Sequence, residues 1–271
     1  MVLVASACKG LPSRSMLSIG EFRLLELPSA GSTNSYVAAH QEELSAPTWV
    51  IAERQLQGRG QGGHVWLSRL GDFSASLLYR PERLPSVHLF LLSELVSLAI
   101  ADMLGAWGYP AQVKWPNDIL LGGRKACGIL IETSLRGAQV YQAILGVGLN
   151  IVHWPLPPGD LAFPVTTLAD CRPGVPVPTC EQVATAIVEH WNAILAAYPR
   201  GISLEGLARG LERDYLLRLW HGEGLHRYRD GQGTFLASVD GLAPHGALRL
   251  RLADGSRRTY AFGTLRQLPD E

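Results

Sequence analysis

The chain has 271 residues, of which 47% are hydrophobic and 18% charged, a balance that supports a sizeable core and argues against wholesale disorder. Lys+Arg and Asp+Glu stand at 24 each, for a formal net charge of zero, which speaks against a protein whose main task is non-specific nucleic-acid binding. Cys8, Cys127, Cys171 and Cys180 form no CxxC pair, so a reduced, cytoplasmic protein without a structural zinc site is expected.

The opening "MVLVASACKG" lacks the basic n-region of a signal peptide. Residues 1–20 are expected to be a disordered tail, with Met16 as an alternative start. "FRLLELP" (22–28) predicts a strand, Ser32-Thr33-Asn34 a polar turn, "YVAAHQEEL" (36–44) a helix and "TWVIAE" (48–53) the next strand. A Gly-rich loop, "ERQLQGRGQGGHVW" (53–66), is followed by the strand "FSASLLYR" (73–80). The longest apolar segment, His88–Gly108, is interrupted by Glu94 and Asp102. No uncharged run reaches the roughly 18 residues a membrane span needs, so a buried helix is expected and no membrane partner.

"AQVKWPNDILL" predicts strand, turn, strand, and "KACGILIETSLRGAQVYQAILGVGLNI" two long strands joined at Arg136-Gly137. A proline-rich loop covers 152–178. Thr179 with Gln182 forms a capping-box pattern opening a helix to about 198, and another helix follows at about 203–219. From His221 short alternating strands are separated by Asp-Gly turns, the texture of a small antiparallel barrel. The expected fold is therefore α+β, a mixed sheet packed with helices over 21–219 and a small β-barrel over 220–271.

Four motifs carry candidate chemistry. The Gly-rich loop offers free backbone N–H groups as an anion nest, and Arg59 a donor fork for phosphate or carboxylate; a mobile surface hairpin is the plain alternative, against which the bulky Trp66 weighs. No Gly-Lys-Ser/Thr follows, so this is not the phosphate loop of common nucleotide hydrolases. "KWPND" presents Lys114, Asn117 and Asp118 on a corner stiffened by Pro116, with Asp118 suited to orienting a basic group or to binding Mg²⁺ through water. Lys125 of "RKACGILIE" is a solvated strand end unless it faces a pocket, where it could stabilise developing charge. "GVGLN" (146–150) suggests close backbone approach beside Asn150, or simply a bend before a loop.

Their order is more specific than any one of them. "STNS", "AERQLQGRGQGGHVW", "KWPNDILL", "KACGILIE" and "GVGLNI" follow one another over 32–151. This resembles the catalytic domain of the biotin protein ligases (biotin–[acetyl-CoA-carboxylase] ligases), whose pattern is GRGxxxRxW, KWPND, KxxGIL and GxGxN. The likeness extends over about 20–271, because such ligases also carry a small C-terminal barrel. It implies a class II synthetase/lipoate-ligase-like catalytic domain followed by an SH3-like barrel.

The resemblance implies a two-step reaction: the biotin carboxylate and MgATP give biotinyl-5′-adenylate and pyrophosphate, and a lysine of a biotin carboxyl carrier protein (acetyl-CoA carboxylase) then displaces AMP. By position, Ser32, Thr33 and Asn34 would bind the biotin head group, with Gln55 on the same side. Gly58, Arg59, Gly60 and Gln61 would form the closing loop, and Gly128 and Ile129 the strand lining the biotin pocket. Lys125 would stand between the biotin carboxylate and the α-phosphate. Arg59, Lys114, Asn117, Lys125 and Asn150 would serve ATP and the adenylate, and Arg59, Lys125 and Asp118 would be catalytic. The metal ligands are not specified, Asp118 or Asn150 being the candidates for Mg²⁺.

Two positions depart from the pattern: His64 stands where an arginine is common, and Gln61 where many members are basic. A neutral imidazole donates fewer hydrogen bonds, so weaker retention of the adenylate is expected without loss of activity. The first catalytic strand begins near residue 21, so a ligase without the DNA-binding repressor module of some members is expected, as a monomer or homodimer. The competing readings are a lipoate or octanoate protein ligase of the same fold and a non-catalytic biotin-binding regulator.

Overall fold

Apolar alternation along the strands sorts the chain into two large sheets, beside a two-stranded ribbon in the Gly-rich loop, in a computed structural model that describes residues 2–4, 17–153 and 163–269. In chain order the elements are β1 (Val2–Val4), β2 (Arg23–Leu27), α1 (Thr33–Ala39), β3 (Thr48–Ala52), β4 (Gly58–Arg59), β5 (Val65–Trp66), β6 (Phe73–Tyr79) and α2 (Leu91–Ala106). Then come β7 (Ala111–Lys114), β8 (Asp118–Leu121), β9 (Arg124–Arg136), β10 (Gln139–Leu149), α3 (Leu168–Cys171), α4 (Cys180–Ala196) and α5 (Leu204–Leu217). The C-terminal strands are β11 (His226–Asp230), β12 (Gly233–Leu242), β13 (Leu248–Leu252), β14 (Arg257–Tyr260) and β15 (Arg266–Gln267).

The large sheet has the order β1-β2-β3-β6-β10-β9-β8-β7. Only β2 and β3 pair in parallel, so the sheet is mixed. Strand periodicity decides which face each residue serves. In β3, Trp49 and Ile51 enter the main core while Val50 and Ala52 enter a small second cluster with Val37 of α1. In β6, Phe73, Ala75, Leu77 and Tyr79 belong to the main core, which leaves Ser74, Ser76 and Leu78 facing the other way. The main core is closed by α2, α4 and α5. The long apolar segment is thus a core helix, with every residue from Leu91 to Leu104 except Ser93 and Asp102 buried, Glu94 among them.

The polar run Ser32-Thr33-Asn34 is the start of a helix and not a turn: Ser32 is the N-cap in extended backbone, and Thr33 and Asn34 lie in the first turn of α1. Small polar residues favour helix starts as much as turns, and the helix accordingly ends at Ala39, earlier than the apolar pattern predicts. The tail expected over 1–20 also needs correction at its end. Leu17 and Ile19 are buried, and the Leu17 carbonyl accepts from Tyr79 Oη and Trp191 Nε1, both at 2.8 Å. Met16 and most residues before it lie outside the described residues, as does the middle of the proline-rich loop. The capping box forms: Gln182 N–H donates to Thr179 Oγ1 at 3.2 Å and Thr179 N–H to Gln182 Oε1 at 2.8 Å.

The C-terminal strands make an antiparallel sheet of order β14-β13-β12-β11-β15. It docks on the turn between β7 and β8. Trp115 Nε1 donates to the Gly246 carbonyl at 2.8 Å, and Phe262 packs on both Trp115 and Phe90. The chain leaves the large sheet where Trp220 N–H donates to the Val113 carbonyl at 2.7 Å.

Candidate active site

The site is a polar strip on the sheet face opposite the main core. Directly paired residues of neighbouring strands share a face. The registers therefore place Ser74, Gly148, Gly128, Asp118 and Lys114 in one row across β6, β10, β9, β8 and β7. A second row runs Ser76, Gly146, Leu130. The glycines keep the floor low. A Cβ on Gly148 would overlap the Trp66 indole, and one on Gly128 would come within 2.8 Å of Trp66 Cζ3. A Cβ on Gly146 would overlap Asn34 Oδ1. Trp66, at the end of the Gly-rich loop, thus lies in the trough between β9 and β10.

At one end of the strip stands a basic–acidic triad. Lys125 Nζ is 2.6 Å from Asp118 Oδ1, and Lys114 Nζ is 3.3 Å from Oδ2. The side chains are 23%, 13% and 16% exposed for Lys125, Asp118 and Lys114, so the pairing is partly shielded from water. Lys125 Nζ also sits 5.3 Å from the Trp66 ring centroid, within cation–π range. Its backbone is fixed on both sides: Lys125 N–H donates to the Pro164 carbonyl at 2.7 Å and its carbonyl accepts from Thr166 N–H at 2.9 Å. Asn150 joins the same strap, its amide donating to the Thr166 carbonyl at 3.1 Å. Asn117 braces the turn by donating from Nδ2 to the Ile129 carbonyl at 2.5 Å.

At the other end a hydrogen-bond network ties α1 to the sheet and the loop. Gln55 Oε1 accepts from Thr33 N–H at 2.9 Å and from its hydroxyl at 3.1 Å. The Ser76 hydroxyl lies 2.7 Å from Thr33 Oγ1 and 2.6 Å from Asn34 Oδ1. Asn34 Nδ2 donates to the Leu130 carbonyl at 3.2 Å and to Glu132 Oε2 at 2.7 Å. Glu132 in turn accepts from Arg59 Nη2 at 3.0 and 2.9 Å. Arg59 therefore reaches the head of the pocket through a carboxylate.

The structure brings together Thr33, Asn34, Gln55, Arg59, Gly128, Lys125, Asp118, Lys114 and Asn117. Ser32 is placed as a helix cap, Ile129 has its side chain in the main core and contributes backbone, and Asn150 borders the strap. Gln61 stands apart in an exposed single turn over Gln61–Gly63, near the exposed His64. Sequence reasoning missed Glu132 and Ser76. The signal available was a polar residue in a wholly buried strand, β6, and an acid closing the apolar run Gly128–Ile131 within β9. Cys127 sits beside the site, but burial holds its thiol well above the usual range and Lys125 lowers it only in part, so it stays protonated.

Two kinds of kinship follow from this frame. Residues 27–150 match the biotin/lipoate A/B protein ligase family. The chain is 37% identical over 132 residues to the biotin–[acetyl-CoA-carboxylase] ligase of Paracoccus denitrificans, covering 48% of this chain and 55% of that protein. It is 29% identical over 230 residues to the bifunctional ligase/repressor BirA of Bacillus subtilis, covering 79% and 64%. The chain thus spans between half and two thirds of the length of these relatives. In fold it is similar to the biotin protein ligase from Aquifex aeolicus solved with biotin and ATP, with TM-score 0.68, 22% identity, and 90% and 99% of the two chains covered. Residues 27–150, which hold most of the site, are thus similar to the biotin/lipoate A/B protein ligase family. The Paracoccus protein and the Aquifex structure that the chain resembles are both named as biotin ligases.

Proposed function

We propose that the protein activates biotin with ATP and transfers it to a lysine of a biotin carboxyl carrier domain. The observation that carries this reading is the strip itself: five separated motifs converge on one low, glycine-floored face with an ammonium at one end and a hydrogen-bonding head group at the other. In the first step a carboxylate oxygen of biotin attacks the α-phosphorus of ATP and pyrophosphate leaves. The barrier lies in bringing two anions together, so positioning and charge neutralisation dominate. Lys125 supplies the neutralising charge, and Asp118 holds its Nζ in place. Thr33, Asn34 and Gln55 offer the polar groups for the biotin head, while Trp66 and Arg59 bring the Gly-rich loop over the reactants. Lys114, Asn117 and Asn150 flank the nucleotide side. In the second step the acceptor amine attacks the biotinyl carbonyl and AMP leaves with its bond to that carbon broken.

Mg²⁺ is proposed to arrive with ATP. Asp118 does not fit as a direct ligand, since both its oxygens already face ammonium groups and a divalent cation there would meet two like charges. Asn150, with its amide N–H committed to Thr166, keeps one neutral oxygen. Among the described residues no three His, Cys, Asp or Glu side chains are grouped to hold a metal. Phosphates and water are therefore its main ligands in this reading. We also propose a catalytic unit from about residue 17 to 219, of the class II synthetase type, and an SH3-like C-terminal unit from 220, an intracellular location, and a monomer or homodimer. Biotin-dependent exchange of labelled pyrophosphate into ATP, followed by transfer to a carrier domain, tests the function. Exchange that required lipoate and ignored biotin would overturn it.

A further inference from the structure

The C-terminal sheet separates charge in a chain whose total is zero. Its inner face carries Tyr228, Ala237, Leu248, Leu250 and Tyr260 into the main core. Its outer face is set by the registers Arg266↔Arg229↔Thr234, Arg227↔Leu236, Ser238↔Arg251↔Arg257 and Arg249↔Thr259. Six arginines thus share one face with, among the described residues, a single aspartate, Asp240. Asp240 relieves the directly opposed Arg251 and Arg257, at 2.6 and 2.7 Å. Arg229 and Arg266 are also directly opposed, and among the described residues no carboxylate lies within ion-pair distance of either. Like charges opposite each other cost a sheet stability, so the sequence keeps this pair at a structural disadvantage. Asp240 shows that one acid in reach is enough to satisfy two such guanidiniums.

We propose that this face docks the acidic surface of the protein whose lysine is modified, an inference that rests on the function proposed above. Three observations favour a folded acidic protein over nucleic acid. The directly paired positions of the face contain no aromatic ring on which bases could stack. Leu236, half exposed at its centre, is an apolar anchor among arginines, the mixture that protein interfaces favour. The guanidinium forks suit bidentate binding of carboxylates. The Trp115–Gly246 hydrogen bond fixes this sheet to the turn that carries Asp118, so a partner held on the face is held at a set distance from the reacting centre.

The test is the full-length double variant Arg229→Glu/Arg266→Glu, with Arg229→Gln/Arg266→Gln as a milder second. Two reactions are measured with each: biotin-dependent pyrophosphate exchange without acceptor, and biotin transfer to the cognate carrier domain. Exchange unchanged, with KM for the carrier raised by roughly tenfold and its dependence on salt flattened, supports the proposal. Normal exchange with an unchanged KM overturns it, as does loss of binding to a labelled DNA or RNA duplex with KM unmoved. Absence of exchange in the unmodified protein strikes the functional reading instead, so the two failures are distinguishable.

Discussion

Replacing Lys125 by alanine isolates the charge on which the proposed reaction depends. The backbone of residue 125 is tied to Pro164 and Thr166 through main-chain atoms, so alanine keeps those bonds and the β9 ladder. The lost ion pair with Asp118 is partly solvated, and Lys114 remains at 3.3 Å to pair with the aspartate. The stability cost is therefore about 0–1 kcal/mol, a shift in Tm of at most about 2–4 °C for a chain of this size. The loss of a preorganised donor to developing negative charge is larger, about 3–4 kcal/mol in the transition state, or roughly a hundred- to a thousandfold in rate. Pyrophosphate exchange and thermal melting on the same sample read the two effects separately. Exchange close to that of the unmodified protein, with an unchanged melt, refutes the role given to Lys125. A collapse of the melt would show instead that the pairing serves the fold.

Gly146→Ala places a methyl group against Asn34 Oδ1 with the Leu130 carbonyl 3.1 Å away; KM for biotin is expected to rise more than kcat falls, and steady-state kinetics check the split. Trp115→Phe removes the donor to the buried Gly246 carbonyl and is expected to cost about 1–3 kcal/mol in urea unfolding, with no loss if water replaces the indole N–H. Glu94 is buried, and desolvation, with the Glu212 carboxylate adding to it, pushes its carboxyl up from 4.5 to about 9. The native protein then keeps a proton that the unfolded chain releases, so stability falls as pH rises between those values, by roughly 1.4 kcal/mol per unit, and levels off above. Glu94→Gln should remove that slope; unfolding curves that keep it would place its origin elsewhere.

Much of this architecture was legible because the strands are apolar and well punctuated. The two long strands around Arg136-Gly137, the capping box at Thr179 and the core helix after His88 each rest on local pattern, and local pattern held. The polar run at Ser32 failed for a local reason too, since the same residues open helices and turns. Leu17 and Ile19 failed for a distant one: their burial depends on Tyr79, Trp191 and Asn192, partners up to 174 residues away. Glu132 and Ser76 belong to the same class. Nothing in "GILIE" or "FSASLL" says that they meet at Asn34; only the β6–β10–β9 register does, and register is a property of paired strands.

That register also explains why the motifs look as they do. Gly128 and Gly148 are opposite each other, and Asp118 is opposite Gly128, so three motifs that are separate in sequence form one line in space. A side chain at either glycine would lift Trp66 off the floor and with it the end of the Gly-rich loop. The loop's own glycines therefore account for only part of its behaviour, because its resting place is prepared by strands that follow it by more than sixty residues. The "KWPND" turn is likewise shared property. Its lysine and aspartate face the strip, while its tryptophan faces the other way and holds the C-terminal sheet through Gly246 and Phe262. A displacement of that sheet must move Pro116 and hence Asp118, whose pairing orients Lys125. The geometry of the reacting end thus depends on a sheet that contributes no residue to it.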